Sequence, residues 1–121
     1  MQIDVTAESS RLPLVRRTLA VVLDGAGLDG DTATDLTLAT DAIAELVVSC
    51  SAHTARLTCS VTTHVQCTDV LVVGYLADEL PLPTDGFAWH LIEAITERVS
   101  VTTGDQGRVE VWCRKNHPRA A

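Results

Sequence analysis

The sequence predicts a single two-layer α/β (α+β) domain over residues 1–121, with a mixed, mainly antiparallel sheet carrying its helices on one face. The chain has ordinary single-domain length and is too short for two cores of normal size. Segments with the period of strands and segments with the period of helices follow one another as strand, helix, helix, two strands, helix, two strands. The strands therefore arrive in consecutive pairs, without the regular alternation that a parallel sheet needs, and hairpins fit best.

Each element has its own reason. Gln2 to Glu8 alternates, with Ile3, Val5 and Ala7 against Gln2, Asp4 and Thr6, and reads as a short first strand. Ser9 and Ser10 are good caps and Pro13 is tolerated in a first turn. Leu12, Val15, Leu19, Val22 and Ala26 then recur at helical spacing until Gly25 and Gly27. Asp29, Gly30 and Asp31 make a turn and cap for a second helix faced by Leu36, Ala39, Ile43, Leu46, Val47 and Cys50. The two helices are expected to lie adjacent and antiparallel.

Ala55, Leu57, Cys59 and Val61 alternate with Arg56, Thr58, Ser60 and Thr62, and the continuous β-rich run from Val70 to Leu76 should pair with them as a hairpin. The stretch 77–86, ADELPLPTDG, is the clear loop of functional length. Phe87, Leu91, Ala94 and Ile95 mark a third helical face. If Phe87, Leu91 and Ala94 face the sheet, Trp89 projects outward, to fill a ligand space or to anchor an interface. Val99 and Val101, the turn Gly104-Asp105-Gln106-Gly107, and Val109, Val111 and Cys113 complete a second hairpin.

Composition excludes several functions. Sixteen acidic against nine basic side chains leave a formal charge of -7, so the counterion-release term behind non-specific nucleic-acid binding is missing. With Phe87, Trp89, Trp112 and Tyr75 as its aromatics, the chain has no base-stacking platform and no direct nucleic-acid role is expected. No run approaches the roughly 18 apolar residues that cross a bilayer, so no membrane partner is expected. Met1 to Thr6 carries Asp4 in place of a basic leader, and the expectation is a cytoplasmic protein. Cys50, Cys59, Cys67 and Cys113 are accordingly read as reduced thiols.

Asp41 and Glu45 stand four apart, a spacing suited to metal or acid–base work, but the simpler reading is the wet edge of a helix. Cys59, His64 and Cys67, or Cys113 with His117, offer ligand types without a CxxC or a second half-site, and no metal site is expected.

Several segments together resemble a family. Leu14-Val15-Arg16-Arg17-Thr18-Leu19-Ala20, Asp35-Leu36-Thr37-Leu38-Ala39-Thr40-Asp41, Gly86-Phe87-Ala88-Trp89-His90-Leu91-Ile92-Glu93-Ala94-Ile95 and Gly107-Arg108-Val109-Glu110-Val111 are similar in order and spacing to the anti-sigma regulatory factors of the SpoIIAB and RsbW type, on the histidine-kinase-like ATPase (Bergerat) fold. The Phe-Ala-Trp-His stretch looks like the actinobacterial branch. In that family a second-helix glutamate activates the attacking hydroxyl, and an asparagine four residues later holds Mg²⁺ against the triphosphate. Aligned without gaps through Leu38-Ala39, those positions here are Ala42 and Leu46, whereas a one-residue shift would offer Asp41 and Glu45 and set a carboxylate where the family has a neutral amide. The family's Asp-x-Gly-x-Gly, which reads adenine, is replaced by Gly74-Tyr75-Leu76-Ala77-Asp78, and in the glycine-rich turn Gly86 remains while Ala88 replaces its second glycine.

The resemblance implies an anti-sigma factor that sequesters an alternative, stress- or development-type sigma factor and is released by an anti-anti-sigma antagonist. The degenerate positions Ala42, Leu46, Gly74, Gly86, Ala88 and Trp89 imply no ATP turnover and no catalytic, cofactor or metal residues, ATP and Mg²⁺ being conceivable only in a residual pocket. Arg16, with Arg17 beside it, matches the first-helix arginine through which members contact sigma factor and antagonist. Members also form homodimers through the first strand and helix. Two other readings stay open: an active Ser/Thr kinase phosphorylating its antagonist, and a dimeric scaffold serving a partner other than sigma.

Overall fold

A computed structural model describes residues 1–78 and 81–118. The strands are β1 (Gln2–Thr6), β2 (Arg56–Thr63), β3 (Cys67–Tyr75), β4 (Arg98–Thr103) and β5 (Arg108–Asn116), and the helices α1 (Leu12–Gly25), α2 (Gly30–Cys50) and α3 (Phe87–Ile95). The order matches the sequence reading element for element.

All strand pairings are antiparallel and the sheet order is β1-β2-β3-β5-β4. Both expected hairpins form, with Val61 opposite Val70 and Val101 opposite Val111. The insertion of β5 between β3 and β4 places the long strands β3 and β5 centrally and leaves β1 and β4 as edges. Thr68, Val70 and Val72 of β3, with Val109, Val111 and Cys113 of β5, point into the core.

Helix α2 is the centre of the helical layer, packing against α1, α3 and β3. Asp29 starts it by accepting a 2.7 Å hydrogen bond from the Thr32 amide, a cap whose bond also pulls the Asp29 pKa down. Leu36, Ala39, Ile43 and Val47 are fully buried along its inner face. At about 1.5–3 kcal/mol for each large aliphatic side chain, this stripe is a main source of cohesion between the layers.

Helix α1 begins differently from the expectation. Ser9 and Ser10 form a separate 3₁₀ turn, and α1 starts at Leu12 with no side-chain cap. The chain turns out of α1 through Gly27 in the left-handed region (φ 72°), a conformation that glycine adopts without steric cost. The inner stripe is Leu12, Val15, Leu19 and Leu23, with Val22 half-buried beside it.

Helix α3 corrects the sequence reading. Phe87 and Ala94 face solvent, whereas Trp89 and Ile92 are buried. Two apolar stripes compete on this short helix, and the one with the larger side chains, completed by Ile95, packs inward because it removes more apolar area from water. Trp89 is therefore a core residue.

Candidate functional site

The positions where the resembled family would hold nucleotide lie on α2, at the end of β3, in the 77–86 loop and at the start of α3. Ala42 and Leu46 are half-buried and pack against the core. At Gly74 the structural need is different: a Cβ there would run into Cγ1 of Val47 on α2. The missing side chain lets helix and sheet approach.

Gly86 caps α3 with ordinary extended backbone (φ −91°), and a Cβ would meet nothing. Ala88 is half-buried beside Trp89. The loop contributes Leu82, which is 4% exposed and belongs to the core. The loop residues 79–80 lie outside the described chain.

Among the described residues, two clefts border these positions. One, of about 580 Å³, is lined by Leu76, Asp78, Pro81, Gly104, Gly107 and Arg108. A smaller one, of about 220 Å³, lies between Ser49, Cys50, Leu76, Asp78, Pro81 and Pro83. Gly107, in the wall of the larger cleft, is left-handed (φ 79°), and a Cβ there would meet the Leu76 carbonyl at 2.6 Å, so the turn is built for close backbone approach to Leu76. The Leu76 amide donates to the Gly107 carbonyl at 2.8 Å. This lining does not match magnesium triphosphate: Arg108 is paired with Glu110 at 2.6 Å, and Asp78 adds negative charge. Among the described residues no group of three or more His, Cys, Asp and Glu side chains could hold a metal ion.

Arg16 and Arg17 both lie on the exposed side of α1. Arg16 Nη2 donates to Asp41 Oδ1 on α2 at 2.8 Å, and this bond, with the carboxylate charge, raises the Arg16 pKa. Asp41 is engaged by Arg16, and the charge of Glu45 acts on the same guanidinium. Around the arginines, Leu14 and Val21 are exposed apolar side chains of the same helix.

Of the other ligand candidates read from the sequence, His64 and Cys67 meet across the β2–β3 turn, where the His64 amide donates to the Cys67 carbonyl at 2.7 Å. His64 Nε2 sits 3.4 Å from Asp69, whose carboxylate is held mainly by a bidentate hydrogen bond from Arg114, and its pKa is lowered for that reason. His117 is buried with Nε2 3.0 Å from the Thr68 hydroxyl. Cys59 and Cys113 are buried thiols whose pKa values burial pushes up to about 11 and about 12. Sequence reasoning missed Leu82 and the Asp41 partner. The Pro-Leu-Pro setting of Leu82 marked only a loop, and the Arg16 pair left no local signal, since it spans 25 residues.

The fold superposes on solved structures over nearly the whole chain. A structure of the RsbU and RsbW domains of Rv1364c from Mycobacterium tuberculosis superposes with a TM-score of 0.68 at 14% identity over 99% of this chain. The fold is that of the histidine-kinase-like ATPases. The catalytic domain of the histidine kinase ThkA matches over 98% of this chain with a TM-score of 0.61 at 8% identity, covering 99% of that domain. The mycobacterial sensor histidine kinase MprB matches at 0.57 and 9% identity, over 98% of this chain and 99% of that one. This chain spans 34% of the Rv1364c chain. No protein-family model and no curated protein matches the sequence. No described helix is long and apolar enough to cross a membrane.

Proposed function

We propose that this chain is a partner-switching regulator of the anti-sigma type, which sequesters an alternative sigma factor, is displaced by an anti-anti-sigma antagonist and works without turning over ATP. The likeness to the structure that contains an RsbW domain supports the partner class. The observation that carries the reading without ATP is on α2, where Ala42 and Leu46 pack against the core in place of a general base and a metal ligand. With no phosphorylation step inside the chain, release rests on competition between two proteins for one surface. The net charge of -7 suits a basic partner, because opposite fields raise the encounter rate. Arg16 and Arg17 then supply local cations that fix register on a carboxylate of the partner.

Two measurements test this. Thermal melting with ATP or ADP, with and without Mg²⁺, should give superimposable curves. A nucleotide at 100 times its dissociation constant would add about 2.7 kcal/mol, a shift of several degrees for a domain of this size, and would end the reading without ATP. Copurification with a panel of alternative sigma factors should recover one of them, and should lose it when the cognate antagonist is added. Recovery of none of them would favour the scaffold function instead.

A further inference from the structure

The two edges of the sheet differ in how they are finished. β4 ends the sheet beyond β5, and among the described residues no strand lies outside it. The Gly104 amide donates to the Arg108 carbonyl at 2.8 Å, which sets the phase of the β4–β5 ladder. Arg98, Ser100 and Thr102 therefore turn their backbone groups to β5, while Val99, Val101 and Thr103 turn theirs outward, where a further strand would sit. A cleft of about 440 Å³ opens beside Val99 and Ser100 at the start of the strand.

Edge strands usually carry a device against pairing, such as a proline, a lysine or a charge in mid-strand. β1 has one: Asp4 stands at its centre, and antiparallel pairing of two copies along its whole length would oppose Asp4 to Asp4. β4 reads Arg-Val-Ser-Val-Thr-Thr, without proline or lysine, and its one charge, Arg98, is at its end. The Val99 and Val101 side chains are half-buried on the helical side of the sheet, so a strand added there would complete their cover.

The sequence of β4 also says which strand fits. Opposed residues must share a face, so two antiparallel copies of β4 can pair about Val99, Ser100 or Val101. About Ser100, Val99 meets Val101 of the second copy on the inner face, Arg98 meets Thr102 and Ser100 meets Ser100 on the outer face, and no like charges are opposed. Pairing about Val101 would set Glu97 against Asp105, and pairing about Val99 would overlap only residues 98–100.

We propose that β4 pairs antiparallel with β4 of a second copy of this chain about Ser100, joining the two five-stranded sheets into one. Val99 and Val101 then exchange both backbone bonds across the axis. The Ser100 pair between them exchanges none and brings its side chains closest, with Cα atoms about 4.5 Å apart. The net charge of -7 on each copy opposes the approach, but physiological salt screens it beyond about 8 Å. The contact is short, so the dimer is expected to be weak and concentration-dependent. This edge is at the opposite end of the sheet from β1, the strand through which the resembled family pairs, and the pairing needs no assumption about a sigma factor.

Sedimentation of the full chain across micromolar concentrations should show monomer passing to dimer, and the Val99 and Val101 amides should gain protection from hydrogen exchange along the same series. Ser100→Glu and Ser100→Lys, at an exposed position, should melt as the wild type does, and each should dimerise about fivefold more weakly because like charges face each other on the axis. Mixed in equal amounts, the two variants should pair with one another at least as tightly as the wild type pairs with itself. A single chain mass at every concentration would overturn the proposal. So would a dimer that neither substitution weakens, or one in which the Val99 and Val101 amides exchange freely, since the copies would then meet through another surface. Failure of the mixed variants to pair would overturn the Ser100 register.

Discussion

Arg16 on α1 donates to Asp41 on α2 across 2.8 Å, so the cation best placed to meet a partner is already satisfied within the chain. A partner carboxylate must displace Asp41 or share the guanidinium with it. Both side chains keep access to solvent, which makes such an exchange cheap.

This pair gives the first prediction. Arg16→Ala should weaken the proposed sigma complex about thirtyfold, the usual loss when an arginine anchor is truncated. Asp41→Asn should bind as tightly as wild type or more so, because the internal competitor has lost its charge. Calorimetry with the copurified sigma factor measures both. Unchanged affinity in Arg16→Ala would move the interface away from α1.

The contact between Gly74 and Val47 gives the second. Gly74→Ala should destabilise by about 1–3 kcal/mol, the range for overpacking a tight site, since its Cβ would strike Cγ1 of Val47. Val47→Ala costs stability by itself but opens the space, so the double variant should be less unstable than the two singles summed. Urea unfolding of the cycle decides the matter, and additivity within about 0.5 kcal/mol would show that helix and strand separate to accept the methyl group.

The order of elements was legible in the sequence because hydrophobic periods report local geometry directly, as in Leu57, Cys59 and Val61 of β2. The inward face of α3 was not. Phe87, Leu91 and Ala94 form as good a stripe as Trp89 and Ile92, and only packing against α2 chooses between them. Leu82 was hidden by its two proline neighbours, which mark a loop while saying nothing of whether one side chain turns inward. In the candidate site, the apolar character of Ala42 and Leu46 was readable. The Arg16–Asp41 pair depends on how two helices meet, which no local pattern encodes.

A third prediction separates a lined core from an open cleft. Leu46→Asn, which restores the amide of the resembled family, should destabilise by about 1–3 kcal/mol because it sets a polar group against apolar neighbours. It should also give no thermal response to ATP and Mg²⁺. If position 46 faced an empty ligand space, the amide would be hydrated and the melting temperature unchanged, and that result would reopen the kinase reading.

The last prediction concerns the thiols. Cys59 and Cys113 are buried, while Cys50 and Cys67 are partly accessible. Iodoacetamide at pH 8 should therefore modify Cys50 and Cys67 in the folded chain and reach the other pair only in urea, as mass spectrometry of the intact protein would read. Burial raises the Cys59 and Cys113 pKa values from 9.0 to about 11 and about 12. Below pH 9 both folded and unfolded states keep these protons, so the pair adds no pH dependence there. As the pH rises past that value the unfolded thiols ionise while the folded ones do not. The unfolded state then binds fewer protons, and stability falls with pH. The slope approaches about 2.7 kcal/mol per pH unit for two thiols, and it levels off once the pH passes the folded values. Urea midpoints between pH 8 and 11 should decline more steeply for wild type than for Cys59→Ala/Cys113→Ala, which isolates the contribution of these two thiols. Parallel declines in the two proteins would mean that the thiols ionise as readily inside the sheet as outside it.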